Sequence, residues 1–245
     1  MKGKSWLISI LCITAVVVIV LMMQGTDHGS KVEVQSSYPE TLILEPETLN
    51  FESELETLKL VRVDSSILVD LKYATTDNFT GMVLYDDFGG AYLQTDVARM
   101  LVDAQRYLKT LHPELRLLVY DAARPLSVQR IMWERVKDTK YHRYVAHPDR
   151  LSLHNFGAAV DLTLADHSGQ TLDMGTPFDH FGRAAGINEE EELVRQGLLT
   201  RQQVQNRQLL RQVMRHAGFR SISGEWWHFN ACTLQEAKQR YTLIE

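Results

Sequence analysis

The stretch "SLHNFGAAVDL", residues 152–162, sets His154 and Asp161 in a run that otherwise reads as a small-residue turn entering a buried strand. An unpaired charge beside Ala158, Ala159, Val160 and Leu162 is heavily penalised, so both polar groups need a partner. The turn can fold back and bring the two together because Gly157 and Ala158 are small. Their natural common partner is a cation. Far downstream, "EWWHF", residues 225–229, hides a second histidine and carboxylate, Glu225 and His228, among apolar residues. Two such segments are what a metal hydrolase needs: three ligands hold zinc with a fourth position left for water, and a carboxylate outside the ligand set moves protons. Spacing alone does not decide which carboxylate is the ligand. Residues three apart on an ideal strand face opposite sides, so Glu225 and His228 can converge only if Trp226 or Trp227 makes a bulge or turn.

Working outward, "LRLLVYD" (115–121) reads as a buried strand that delivers "AARP" at its end, where Pro125 biases Arg124 toward an extended conformation. Three helices with an apolar face are predicted. Thr95 caps one whose face is Val97, Met100, Leu101, Ala104 and Leu108, ended by Pro113. A second runs from Ser127 with Val128, Ile131, Met132 and Val136 inward. A third starts at Thr200, with Gln203 completing a capping box, and runs through Val204, Leu210, Val213 and Met214 to Gly218. "KLVRVDSSILVDLKYAT" (59–75) suggests a strand or two, and "EEEEL" from Glu189 a solvated helix start. Strands and helices mix without regular βαβ alternation, which makes the fold class α+β.

The chain of 245 residues suits one core plus appendages. A net charge of −5 gives no basic footprint, so nucleic acid is not an expected partner. Cys12 and Cys232 cannot form a disulfide framework. Lys2 and Lys4 precede an uncharged apolar run from Trp6 to Met23. That exceeds the roughly 7–15 apolar residues of a cleaved signal and reaches the about 17–25 of a membrane-spanning helix, with no A-x-A site after it. Residues 1–25 are therefore expected to be an uncleaved anchor, with a cleaved signal as the alternative. Either way the lysines stay cytoplasmic and the remainder is exported. Residues 26–58, rich in Ser, Thr, Glu and Pro, read as a stalk, and 59–245 as the domain.

"SLHNFGAAVDLTL" with "EWWH" resembles the zinc D-alanyl-D-alanine peptidases, and "LKYATTDNFTG", "YDAARP", "DMGTPFD" and "GEWWHF" are similar to the D-alanyl-D-alanine dipeptidases of the vancomycin-resistance type. The resemblance implies a single zinc-peptidase domain with a central, mostly antiparallel sheet flanked by helices. It implies one zinc per chain on His154, Asp161 and His228, Glu225 as general base and acid, and Arg124 stabilising the oxyanion. It also implies Asp179 facing the substrate ammonium, with Tyr73 and Ser152 shaping the ends of a small ligand. The expected substrate is the D,D-dipeptide or a wall-derived peptide. A D,D-carboxypeptidase acting on stem peptides and a non-catalytic wall-binding module are the alternatives, and oligomeric state stays open. Trp226 and Trp227 are expected to pack, and His142, His147, His167, His180 and His216 to be superficial or structural.

Overall fold

The run Ala159–Ala165 is buried at every position, as a strand covered on both faces must be. A computed structural model, which describes residues 51–85 and 90–245, has this run at the middle of a five-stranded sheet. The expected anchor and most of the expected stalk lie outside the described residues. Among the described residues no helix is long and apolar enough to cross a membrane.

In chain order the elements are α1 (Phe51–Leu58), β1 (Leu60–Arg62), β2 (Leu68–Val69), β3 (Tyr92–Gln94), α2 (Thr95–Leu111), β4 (Arg116–Asp121), α3 (Leu126–Val136), β5 (Ala159–Ala165), α4 (Glu190–Arg195), α5 (Arg201–His216), β6 (Arg220–Ser221), β7 (His228–Asn230) and α6 (Leu234–Arg240), joined in places by short 3-10 turns. The main sheet runs β2-β4-β5-β7-β6. Only β2–β4 is parallel, so the α+β, mostly antiparallel expectation holds. A small antiparallel pair, β1–β3, lies apart. Val97, Leu101, Ala104 and Leu108 of α2 and Leu210, Val213 and Met214 of α5 share one core with Leu117, Val119, Leu162 and Leu164. Each Val, Leu or Met side chain among them contributes about 1.5–3 kcal/mol when withdrawn from water.

Several expectations need correction. Thr95 is the first residue of α2 rather than its cap; Gln94 holds the cap position without a side-chain bond, and the Thr95 hydroxyl donates to Lys59 O at 3.3 Å. Met100 is only half-buried. Ile131 is 42% exposed, because α3 turns Leu126, Val128, Gln129, Met132 and Val136 inward; Gln129 takes the inward place to bond Arg124 and Ala146 O. Glu190 in the acidic run is buried and meets Arg211 at 2.8 and 2.5 Å. The last part of the segment expected to be stalk forms α1, whose Leu55 and Leu58 pack with Leu60, Ala123 and Ile244. The Thr200–Gln203 capping box is present, and Gly218, at φ +92°, follows α5.

Candidate metal centre and active-site cavity

A four-residue 3-10 turn, Leu153–Phe156, positions His154. Ser152 caps it, its Oγ accepting from His154 N at 3.3 Å, while Asn155 Oδ1 accepts from Ser152 N at 2.8 Å. Gly157 ends the turn at φ +63°, and a Cβ there would come within 2.6 Å of Leu60 Cδ2. Glycine is thus required both for the left-handed backbone and for the close approach. Asn155 Nδ2 donates to Arg124 O at 2.9 Å and Arg124 N to His154 O at 2.9 Å. The turn and the segment after β4 are therefore stitched together.

Asp161 on β5 pairs in register with Asp121 of β4 on one side and His228 of β7 on the other. Trp226 and Trp227 form a turn and the strand begins at His228, which is the irregularity the Glu225–His228 spacing demanded. Both tryptophans are buried, and Trp226 Nε1 donates to Thr176 Oγ1 at 2.8 Å.

Three side chains converge. His154 Nε2 lies 3.2 Å from His228 Nδ1 and 3.4 Å from Asp161 Oδ1, and His228 Nδ1 lies 2.9 Å from the same oxygen. The Ala122 carbonyl, 2.7 Å from His154 Nδ1, can only accept, so that nitrogen carries the proton. By the same logic His228 Nε2 donates to Asn230 Oδ1 at 2.8 Å. Two lone pairs and a carboxylate oxygen are left facing each other, a repulsive set that a cation resolves. Tetrahedral zinc with bonds of about 2.0–2.1 Å to nitrogen or oxygen sets its donors about 3.3 Å apart, and the observed spacings of 2.9 to 3.4 Å match. Among the described residues this is the group able to hold a metal. Burial pushes the Asp161 carboxyl up, but His154 and His228 outweigh it and hold it well below the usual carboxylate range.

The donors open into a cavity of about 380 Å³ that is also lined by Glu225, Arg124, Asp179, Tyr73 and Ser152. All eight side chains singled out in the sequence are thus brought together. Burial raises the Glu225 carboxyl to about 7. Burial likewise raises Asp179 to about 7, although Tyr73 OH donates to its Oδ1 at 3.0 Å and Phe79 N to its Oδ2 at 3.4 Å. Asp179 stands at φ +59°, an uncommon conformation for a residue with a side chain. The Tyr73 hydroxyl, itself raised by burial, stays a donor, and its ring lies 5.2 Å from the Arg124 guanidinium. Ser152 is occupied as a helix cap as well as lining the cavity.

Partners that sequence reasoning missed hold Arg124 in place. Asp121 Oδ2 accepts from its Nε and Nη2 at 2.9 and 2.5 Å, and Gln129 Oε1 from its Nη1 at 2.9 Å. Tyr85 OH in turn donates to Asp121 Oδ1 at 2.6 Å. The available signal was a carboxylate at the end of an apolar strand, three residues before the arginine, and a glutamine on the inward face of α3.

A buried two-histidine, one-carboxylate donor set beside a second carboxylate with a near-neutral pKa and a fixed guanidinium is the equipment of a metallohydrolase. A family model described as D-ala-D-ala dipeptidase, Peptidase M15, matches residues 53–243, and the chain belongs to that family. It is 33% identical over 174 residues to the D-alanyl-D-alanine dipeptidase of Escherichia coli (strain K12), covering 71% of this chain and 83% of that one. Similar proteins of the same name are found in Synechocystis sp. (strain PCC 6803), 32% identical with 56% and 68% covered, and in Enterococcus faecalis (strain V583), 30% identical with 65% and 83% covered.

Proposed function

We propose that this chain hydrolyses D-alanyl-D-alanine to two molecules of D-alanine, with one zinc held by His154, Asp161 and His228. The observation that carries this is the convergence of those three donors in one cavity with Glu225, Arg124 and Asp179. Zinc, when bound, supplies a Lewis acid that polarises a carbonyl and makes water a nucleophile near neutral pH. Glu225, with its carboxyl near 7, takes the proton from the attacking water and returns it to the leaving amine as the C–N bond breaks. Arg124 cannot give up its proton and aims fixed donors at the charge developing on the carbonyl oxygen. Asp179 meets the free ammonium of the dipeptide. An acylated amine would leave that buried carboxylate unpaired, which binding tolerates poorly; this favours a dipeptidase over a D,D-carboxypeptidase.

The leader supports an exported address. Lys2 and Lys4 followed by the apolar run Trp6 to Met23 suit an N-terminal anchor, with the Ser-, Thr-, Glu- and Pro-rich residues after it as spacer up to a catalytic domain that begins with α1. The substrate pool would then be extracytoplasmic dipeptide, and wall peptide the competing one. The test is turnover of D-Ala-D-Ala, its L,L isomer and N-acetyl-D-Ala-D-Ala, with and without chelator. The expected result is chelator-sensitive hydrolysis of the free D,D-dipeptide; preference for the acetylated peptide would favour the carboxypeptidase, and binding of wall without any hydrolysis the non-catalytic module.

A further inference from the structure

A buried cation away from the metal donors bears on the same reaction. Arg207 lies on the inward stripe of α5 with Val204, Leu210 and Met214, and it is fully buried. A guanidinium withdrawn from water is costly unless paired and hydrogen-bonded. The carboxylate of Glu190 is 3.8 Å from its Nη1 and is already engaged by Arg211. The donors of Arg207 go instead to three backbone carbonyls of one loop: Nε to Met174 O at 2.6 Å, Nη2 to Ala184 O at 2.9 Å and Nη1 to Gly186 O at 3.4 Å. Asp179 sits within that loop. The guanidinium also lies 5.9 Å from the ring centroid of Trp226, the neighbour of Glu225.

Loop and turn are laced to each other above this cation. Trp226 N donates to Ala185 O and Ile187 N to Ser223 O, each at 3.0 Å, and Trp226 Nε1 donates to Thr176 Oγ1 at 2.8 Å. Asp179 holds a left-handed backbone, φ +59°, which persists only when the surroundings over-determine it.

We infer that Arg207 is a positioning residue for dipeptide hydrolysis, clamping the 174–186 loop against the Trp226 turn and so fixing Asp179 relative to Glu225. The inference rests on the dipeptidase function proposed above. The three carbonyls are met by three separate nitrogens of one planar fork; a lysine carries its three donors on a single nitrogen. Recognition of a free amine depends on where Asp179 stands relative to the reacting bond. Loss of the clamp therefore degrades the choice between free and acylated substrate more than it degrades the fold.

The test compares wild type with Arg207→Met and Arg207→Lys in the full chain. One measurement is the ratio of kcat/KM for D-Ala-D-Ala to that for N-acetyl-D-Ala-D-Ala, which an inactive fraction does not alter. The other is amide hydrogen exchange across 174–187 and at Trp226. In Arg207→Met the ratio should fall at least about tenfold, chiefly through the KM of the dipeptide. Exchange should quicken in the loop and at Trp226 while β4 and β5 are unchanged, and Arg207→Lys should recover part of both. A wild-type ratio in both variants, quickened exchange throughout β4 and β5, or failure of both variants to fold would each overturn the proposal. If the wild type does not turn over the dipeptide, the proposed function falls by itself, and exchange still decides whether Arg207 clamps the loop.

Discussion

Asp179 carries its carboxyl at about 7 because burial outweighs the bonds from Tyr73 and Phe79. Only its ionised form attracts an ammonium, so KM for D-Ala-D-Ala should fall as pH rises through about 7. In Asp179→Asn, KM should be raised and nearly independent of pH; steady-state kinetics across that range checks both. The same shift has a consequence for stability. The folded form holds a proton that the unfolded chain loses as pH passes the ordinary aspartate value of 3.8, so this contribution is full at acid pH and drains away as pH climbs to about 7. Urea titrations should show a flatter pH profile in Asp179→Asn. Glu225→Gln should keep its zinc and lose turnover by on the order of 10²–10⁴; wild-type kcat in a metal-loaded variant would remove Glu225 from the chemistry. Arg124→Lys gives up the two-point contact with Asp121, and kcat should drop by on the order of 10²–10³ with KM little changed.

The elements that could be anticipated are those whose signal is local. The Thr200–Gln203 box, the apolar run of β4 and the small-residue turn before β5 each depend on a few consecutive residues. Helix α6 carried an equally local signal, with Thr233 and Glu236 forming a capping box, and was nonetheless not anticipated. Ile131 was misassigned because α3 gives an inward place to a polar residue, Gln129, whose partners Arg124 and Ala146 O come from outside the helix. Periodicity counts apolar residues and is blind to a glutamine buried by its bonds. The turn between Ser152 and β5 is the element on which the site depends most. Gly157→Ala should destabilise the protein by about 1–3 kcal/mol in denaturant unfolding, because the new methyl would meet Leu60 and Gln94 N at a positive φ. Zinc affinity should weaken with it as His154 shifts; a variant with unchanged stability and affinity would show that the turn has slack.

Across the chain, a metal site was legible because two segments, each hiding a histidine and a carboxylate among apolar residues, complemented each other; spacing left open which carboxylate is the ligand, and the resemblance to the zinc D-alanyl-D-alanine peptidases supplied Asp161. What stayed hidden were the contacts that hold the functional groups in place, namely Asp121 and Gln129 on Arg124 and the three carbonyls on Arg207. The Arg207 contacts join positions tens of residues apart, which no spacing rule encodes; the partners of Arg124 are close in the chain, and their role depends on how the end of β4 and the start of α3 fold toward each other. The packed body begins with α1, so a chain lacking residues 1–47 should fold, bind zinc and keep the kcat/KM of the full protein; a large loss on truncation would give the N-terminal segment a catalytic part. The most direct measurement is an anomalous difference map collected at the zinc edge from crystals of the protein. A single peak between His154 Nε2, His228 Nδ1 and the Asp161 carboxylate is the expected result. Zinc bound elsewhere, or none bound by protein grown with it, would contradict the account.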